Sequence, residues 1–311
     1  MAIKASGSSL ALSEIATFWG GSQPHSLSEY YAGGSNVFSG AEDEAGNDIP
    51  SSGGALKFSD FYSTHTVTTG GTTNFTSSGT YTIPLGVSTL TITLYGAGGG
   101  GGMGDESGAA GGGGGGGSGG VVQGTLTVSS NIQGNPTAQT IAVTVGAGGS
   151  GGFSTSGISD QGGTSDPTAG SASSIVYSGQ TTSAGGGGQG GGFSILGVNM
   201  NNGNAASNSI GSNFSDSTNE AGTGPDGAQG GSGDGFSSAG TAGKALASNP
   251  LSLSSTAGIA GTLASNSAAT GGDASGFGAG GGGAAGIDRT GDHHWFGGDG
   301  APGHVRIVVA S

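Results

Sequence analysis

Alternating hydrophobic and polar residues predict a series of short β-strands over most of the chain. Leu90, Ile92 and Leu94 alternate with threonines, which is the pattern of a strand with one buried face. Similar runs occupy residues 121–128, 140–145 and 172–177. The final run, within residues 301–310, is predicted to pair with the first strand. Strands at both ends therefore predict a single closed domain.

The first 65 residues have a different pattern, with apolar residues at helical spacing in short segments. Leu12, Ile15 and Trp19 predict one short helix, which Gly20 ends. Because such short segments are too short to hold a core alone, we expect either a poorly ordered leader or, as we prefer, a segment that orders on docking to a partner or a sister chain. The aromatic and aliphatic residues expected to dock are Ile15, Phe18, Trp19, Tyr30, Tyr31, Phe58, Phe61 and Tyr62.

Local motifs in the same region add two further short elements. Ser26 and Glu29 have the spacing of a capping box, which predicts a helical turn through Tyr30 and Tyr31. Residues 56–62 form a second short amphipathic segment. We therefore assign this region, residues 1–65, to a docking segment.

Changes in composition divide the rest of the chain. A Thr/Ser/Gly-rich stretch at 66–80 is expected to be a connector, and residues 81–311 a glycine-rich β domain. Within that domain, residues 197–221 and 243–269 lack both the glycine runs and any period. We expect two long polar loops there, and loops of this length are seldom kept without a use. A solvated surface insertion is the alternative.

Glycine dominates the composition, with 77 of 311 residues, and lies in runs between the predicted strands. Only 8% of the residues are charged, and short apolar blocks interrupt the glycine, which favours an ordered fold over a solvated linker. Polyglycine can form an extended helix with about three residues per turn, and only glycine lets such backbones pack closely. We therefore expect a mainly β fold with extended glycine helices that hydrogen-bond to one another.

The charge excludes several classes of partner. The formal net charge is −14, and the chain has five Lys and Arg residues, too few to neutralise nucleic-acid phosphates or an anionic membrane. The chain has no cysteine, which excludes disulfides and thiolate chemistry. No run approaches the roughly 20 apolar residues of a membrane span. The first 12 residues lack the pattern of a secretory signal.

One cluster near the C terminus combines histidines, carboxylates and aromatic rings. Imidazoles at His293 and His294, with His304 and several aspartates nearby, could bind a transition metal. Adjacent histidines on an extended chain, however, point to opposite sides. We favour a receptor contact anchored by Trp295 and Phe296, or else rings that cover the end of the glycine domain. No metal or cofactor is expected.

Catalytic motifs are weak throughout. Glycine-rich phosphate loops would need a following helix and a Gly-Lys-Ser/Thr sequence, which the chain lacks. Residues 230–236 resemble one calcium-binding nonapeptide, but no array follows. The acidic stretches 42–44 and 105–106 are more simply solvated turns than a glycosidase pair. We expect no enzymatic activity.

Three motifs, in order, resemble the glycine-rich domain of bacteriophage tail-fibre and adhesin proteins. Residues 81–87 and 90–101 resemble its opening, 140–149 its recurring middle motif and 297–309 its closing motif. The N-terminal segment is similar to segments of phage structural proteins. The resemblance implies a sandwich of polyglycine II helices whose variable loops contact a host receptor.

The resemblance also implies a place and partners for the protein. It would be a non-enzymatic virion protein, assembled in the host cytoplasm and exposed on the particle, that docks on other virion proteins and binds a host glycan or outer-membrane protein. A homo-oligomer such as a trimer is expected. A structural or decorating virion protein without a receptor remains the alternative. The expected receptor contacts are Asn199, Asn201, Asn202, Asn249, Leu251, His293, His294, Trp295 and Phe296.

Overall fold

The computed structural model describes most of the chain as a mainly β protein with little helix. The described residues are 3, 7–20, 23–32, 34, 36–37, 41, 48–51, 53–62, 71–84, 87–104, 112–128, 139–155, 164–191, 205–223, 242–261, 270–285 and 294–309. Within them the strands form antiparallel sheets. The helical elements among the described residues are one α-helix and two short 3₁₀ turns, all N-terminal to the first strand.

The N-terminal elements confirm the predicted helix and turn. Helix α1 spans Leu12–Trp19, and Gly20 ends it with a φ of +84°. The 3₁₀ turns span Leu27–Tyr30 and Phe58–Phe61. The predicted capping box forms at the start of the first of these turns, where the backbone N–H of Ser26 donates to Oε1 of Glu29 at 3.1 Å.

These short elements pack around a small core of their own, so the expectation that they could not hold one is wrong. Tyr30 and Phe61 are fully buried and meet edge to face with their ring centres 6.2 Å apart. The buried apolar residues are Ile3, Ile15, Ala16, Trp19, Tyr30, Val37, Ala41, Ile49 and Phe61. Four of them, Ile3, Val37, Ala41 and Ile49, lie outside the helical elements, where helical periodicity could not reveal them.

Two larger sheets pack face to face in the rest of the chain. In chain order the strands are β1 Thr72–Phe75, β2 Gly79–Thr82, β3 Thr89–Tyr95, β4 Val121–Thr127, β5 Thr140–Thr144, β6 Phe153–Thr155, β7 Thr164–Ser165, β8 Ser173–Tyr177, β9 Gln180–Ala184, β10 Phe214–Glu220, β11 Ser255–Thr256, β12 Ser275–Gly276, β13 His294–Phe296 and β14 His304–Val309. The five-stranded sheet has the order β1-β14-β3-β4-β10, and the four-stranded sheet the order β2-β5-β8-β9. Apolar residues from both sheets, including Ile92, Ile307 and Ile175, form the core between them.

The structure confirms the strands predicted from alternation and corrects two other assignments. Strands β3, β4, β5, β8 and β14 lie in the predicted runs, and β14 pairs with β3 as expected. The predicted connector at 66–80 instead contains β1 and the start of β2, which are paired with β14 and β5. The predicted polar loop at 197–221 contains β10, an edge strand paired with β4. Its residues are polar because most of its side chains face water.

Glycine-rich tracts continue the strands beyond one end of the sandwich. Strand β3 continues into residues 96–102, which we call the central tract. Glycine-rich tracts adjoin β4, β5, β8, β9 and β14 at the same end of the sandwich. The tracts around the central one are 112–120, 146–152, 166–171, 185–191, 279–285 and 297–303. The central tract is buried along its whole length. Together the tracts form a slab whose interior is backbone.

Hydrogen bonds of the central tract follow a three-residue period. Its N–H groups donate, at 2.7 to 3.1 Å, to three neighbours in turn: Gly96, Gly99 and Gly102 to tract 112–120, Ala97 and Gly100 to tract 166–171, and Gly98 and Gly101 to tract 297–303. Its carbonyl oxygens accept N–H groups from the other three tracts, 146–152, 185–191 and 279–285. The central tract is therefore hydrogen-bonded to six neighbours, and most of its peptide groups are satisfied without a sheet.

Close backbone approach explains why these tracts are glycine. A β-carbon built at Gly98, Gly100 or Gly101 would overlap a backbone carbonyl oxygen of a neighbouring tract. A left-handed backbone is not the reason, because the described glycines with positive φ lie outside the central tract. The glycine runs are thus a packing requirement of the slab.

Candidate functional site

The glycine-rich domain has two different ends, one formed by the sandwich and the other by the slab. At the sandwich end the chain enters β1, where the N–H of Val309 donates to the carbonyl of Gly71 at 2.9 Å. At the opposite, distal end, Gly102 bonds to Gly114 and to Ala284. At this distal end the described residues stop at Gly104, Thr155, Gly191, Gly261 and Ala285, and the residues that follow each of these lie outside the described part of the chain.

A small three-stranded sheet of order β13-β6-β7 stands at the distal end. Strand β6 follows tract 146–152, and β13 precedes tract 297–303. The pairing sets Phe296 opposite Phe153, with ring centres 6.2 Å apart and planes inclined at 30°. Phe296 is 42% exposed, so the pair offers an aromatic surface at this end.

The other predicted residues of the histidine cluster are only partly described. His294 and Trp295 belong to β13, opposite Thr155 and Ser154 of β6, and His293 lies outside the described residues. His304 does not join them, because tract 297–303 separates it from β13 and its ring lies beside Tyr95 at the other end of that tract. Among the described residues, no group of three or more His, Cys, Asp or Glu side chains gathers where it could hold a metal.

Carboxylates cap backbone groups along the outer side of the slab. Oδ1 of Asp299 accepts the N–H of Gly151 at 2.7 Å, and the N–H of Asp299 donates to Oδ1 of Asp273 at 2.9 Å. Both aspartates are exposed. These side chains accept N–H groups that donate to no backbone carbonyl among the described residues, and they make this surface acidic.

The predicted contacts in the two polar stretches have different outcomes. Asn199, Asn201 and Asn202 lie outside the described residues. Asn249 and Leu251 lie at the sandwich end of the slab, against Tyr95. The structure therefore does not bring these two residues together with Phe296.

The side chain of Asn249 is engaged in internal hydrogen bonds. Its Oδ1 accepts the Tyr95 hydroxyl and the N–H of Leu253, both at 3.0 Å, and its Nδ2 donates to the Leu253 carbonyl at 2.6 Å. The Tyr95 hydroxyl also accepts the N–H of Leu251 at 3.1 Å. Burial raises the pKa of Tyr95, so this phenol stays neutral and can donate its proton. The geometry gives Asn249 a structural role, which its sequence context did not indicate.

His304 is a buried residue whose position sequence reasoning missed. It is 3% exposed, and its ring lies 4.7 Å from that of Phe277 and 6.2 Å from that of Tyr95. Burial lowers the pKa of His304, and the nearby Arg306 lowers it further. A histidine at the start of an alternating strand was the available signal, since alternation places it on the face opposite Val305.

The eight predicted docking residues divide between core and surface. Ile15, Trp19, Tyr30 and Phe61 are buried, while Phe18, Tyr31 and Tyr62 are half-buried and Phe58 is 38% exposed. The buried four hold the N-terminal core and present little surface. Phe58 is therefore the most exposed of the eight and the most accessible to a partner.

Two of the half-buried tyrosines also fasten the N-terminal fold. The Tyr31 hydroxyl donates to the Gly54 carbonyl at 2.9 Å, and the Tyr62 hydroxyl donates to the Ser8 carbonyl at 2.6 Å. These bonds join segments that are far apart in the sequence. Their ring faces, and not their hydroxyls, are what remains for a partner.

Comparison with known families identifies the domain. The profile of a family described as a glycine-rich domain matches residues 72–310. The chain belongs to this glycine-rich domain family. The matched span begins at the first residue of β1 and reaches the end of β14, so the glycine-rich domain includes both sheets and the slab. A search of curated proteins found no match. No helix in the described part of the chain is long and apolar enough to cross a membrane.

Proposed function

We propose that the protein is a bacteriophage fibre or adhesin protein that attaches to the virion through its N-terminal segment and binds a host surface receptor through the distal end of its glycine-rich domain. It acts by contact, without catalysis, on the surface of the particle. Its partners are other virion proteins and a glycan or outer-membrane protein of the host. We propose a homo-oligomer, such as a trimer, as its working form.

The polarity of the domain is the observation that carries the proposal. The chain enters the domain beside Val309 at the sandwich end, and the described residues stop at several points at the distal end. A molecule fixed by its N-terminal segment would therefore hold these distal points, and the chain that follows them, away from its anchor. Binding residues commonly lie on loops that a rigid scaffold positions.

The distal aromatic pair supports a contact role at the same end. Phe153 and Phe296 form a partly exposed surface, and aromatic residues are enriched where proteins bind their partners. Asp273 and Asp299 make the neighbouring surface acidic, which disfavours an anionic ligand. A neutral glycan or a protein surface fits these features better.

We also propose that the glycine tracts are polyglycine II helices stacked as a sandwich, as in the adhesins that the sequence resembles. The three-residue hydrogen-bond period of the central tract supports this assignment, because that helix has about three residues per turn and no internal hydrogen bonds. The overlap that any β-carbon would cause at Gly98 supports it as well. Such a slab is a rigid base for the distal segments.

Exchange of distal segments between related phages tests the receptor proposal. Segments 105–111, 156–163, 262–269 and 286–293 would be replaced, singly and together, by those of a phage with another host. Host range is expected to follow the exchanged segments. The matched control exchanges the turn at residues 76–78, which lies at the junction of sandwich and slab and away from the distal end, and this should leave host range unchanged.

The same experiment distinguishes the alternative function. If host range stays with the recipient while the exchanged proteins fold and enter particles, the distal segments are not the receptor contacts. If deletion of the whole gene also leaves adsorption unchanged, a structural or decorating role is supported instead.

A further inference from the structure

Two short segments form a clasp over the outer face of the five-stranded sheet, near the junction of sandwich and slab. The clasp consists of residues 249–256 and 275–278. Strands β11 and β12 pair within it, and the N–H of Phe277 donates to the carbonyl of Ser254 at 3.0 Å. The clasp closes the outer part of the slab, because residues 249–256 join tract 242–246 to tract 257–261.

Two neighbouring side chains of the sheet hold the clasp. Tyr95 and His304 are cross-strand partners on β3 and β14. Tyr95 bonds to Asn249 and Leu251 in the first segment of the clasp, and the His304 ring packs on Phe277 in the second. Each segment is thus attached through one buried ring.

The surroundings of His304 suit only a neutral imidazole. The titratable and charged groups that face it are Tyr95 from β3 and Arg306 from β14, since the clasp contributes Phe277 and other uncharged residues. No carboxylate among the described residues acts on its titration. Its Nδ1 is buried and has no hydrogen-bond partner within the described part of the chain. A second positive charge here would be buried beside Arg306 without compensation.

We propose that His304 is an acid-sensitive fastener: when its imidazole takes up a proton, the clasp detaches from the sheet and releases the outer tracts, while the sandwich stays folded. Detachment exposes the imidazolium to water and moves it away from Phe277. The sandwich core is made by Val305, Ile307 and other residues on the opposite face of β14, which the clasp does not contact.

The direction of the pH effect follows from linkage. With the clasp closed, the pKa of His304 lies below its ordinary value. An exposed imidazole in the open state would have a pKa of about 6.5. The closed clasp is therefore fully favoured above about pH 6.5 and is progressively lost as the pH falls through the lower pKa of the closed state. In that interval the opening constant rises by up to about tenfold per pH unit.

Hydrogen exchange of the clasp amides tests this proposal. The N–H groups of Leu251 and Leu253, bonded to Tyr95 and Asn249, would be followed from pH 7.5 to 5 on the whole chain, with rates divided by the intrinsic rate at each pH. Their protection should fall by up to tenfold per pH unit below about pH 6.5. The core amides of Ile92 and Ile307 should keep theirs. Protection of Leu251 that does not change with pH would overturn the proposal.

Matched variants assign the effect to His304. In His304→Gln the clasp amides should be less protected than in the wild type, but their protection should not depend on pH. Arg306→Gln removes the neighbouring cation, which raises the closed-state pKa of His304 towards its ordinary value and should therefore reduce the total loss of protection at low pH. His25→Gln, in the N-terminal segment, is the control and should behave as the wild type. An unchanged pH dependence in His304→Gln would contradict the assignment.

A measurement on the wild-type protein covers the case in which His304→Gln does not fold. The imidazole proton shifts of His304 would be titrated by NMR alongside the Leu251 amide. We expect His304 to titrate below its ordinary pKa together with the Leu251 signal. Titration of His304 at the ordinary value, or without any response of Leu251, would refute the fastener.

Discussion

Gly98 and Ala279 lie so close that a β-carbon on Gly98 would overlap the carbonyl oxygen of Ala279. Both residues are buried, and the N–H of Gly98 donates to Ala301 at 2.9 Å, so neither backbone can move aside freely. Gly98→Ala should destabilise the domain by about 3 kcal/mol or more, above the usual cost of overpacking, because the clash is with backbone. Denaturant unfolding measures the loss.

Gly71→Ala is the matched control for this substitution. A β-carbon at Gly71 would have open space around it, and Gly71 has no positive φ. Its unfolding free energy should therefore change by no more than about 0.5 kcal/mol. Equal effects of the two substitutions would contradict the packing explanation of the glycine tracts.

Amide exchange along tract 146–152 should show a three-residue period. The N–H groups of Gly149 and Gly152 donate to the central tract at 2.9 Å, and both residues are buried. Ala147 and Gly148 are more exposed, and their N–H groups have no hydrogen bond within the described residues. NMR should find Gly149 and Gly152 at least tenfold slower than the other two. A two-residue period would indicate a strand in place of the proposed helix.

Tyr95→Phe should loosen the turn that follows Asn249. The substitution removes the hydroxyl that donates to Oδ1 of Asn249 and accepts the Leu251 N–H, and the loss of these part-buried hydrogen bonds should cost about 1–3 kcal/mol. Asn249→Ala should have a similar effect, and the double variant should cost less than the sum of the two, with a coupling of about 0.5–3 kcal/mol. Thermal unfolding of the four proteins measures the cycle, and strict additivity would show that the two side chains act independently.

Phe58→Ser tests the docking role of the N-terminal segment. Because Phe58 is 38% exposed, its replacement should change stability little while reducing incorporation of the protein into particles several-fold. Ala55→Ser, also at an exposed position, is the control and should leave incorporation unchanged. Quantitative immunoblots of purified particles give the ratio. Normal incorporation of Phe58→Ser would remove this residue from the docking surface.

The sequence predicted the strands in which hydrophobic and polar residues alternate. It missed strands that lack this alternation. Strand β3 was visible because one face packs in the sandwich core. Strand β10 has one buried apolar residue, Phe214, and its remaining positions are polar, so nothing marked it as a strand. Edge strands need only one paired neighbour and tolerate such sequences.

Neighbour relationships in the slab and at the clasp could not be predicted. Every residue of a glycine run is chemically identical, so the sequence alone does not indicate which tract Gly98 contacts. Tyr95 and Asn249 are 154 residues apart, and no sequence pattern links the two. The aromatic residues near the C terminus were noted in the sequence, but their packing against Phe153 depends on the β13–β6 pairing.

Competition for host adsorption tests the central proposal most directly. Purified full-length protein would be added to host cells before the phage, and adsorption would be measured against its concentration. The matched variant replaces residues 286–293 and 105–111 with glycine-serine segments of the same length. We predict that the wild-type protein blocks adsorption and that the folded variant does so much less. No block by the wild-type protein, or an equal block by the variant, would contradict attachment through the distal end.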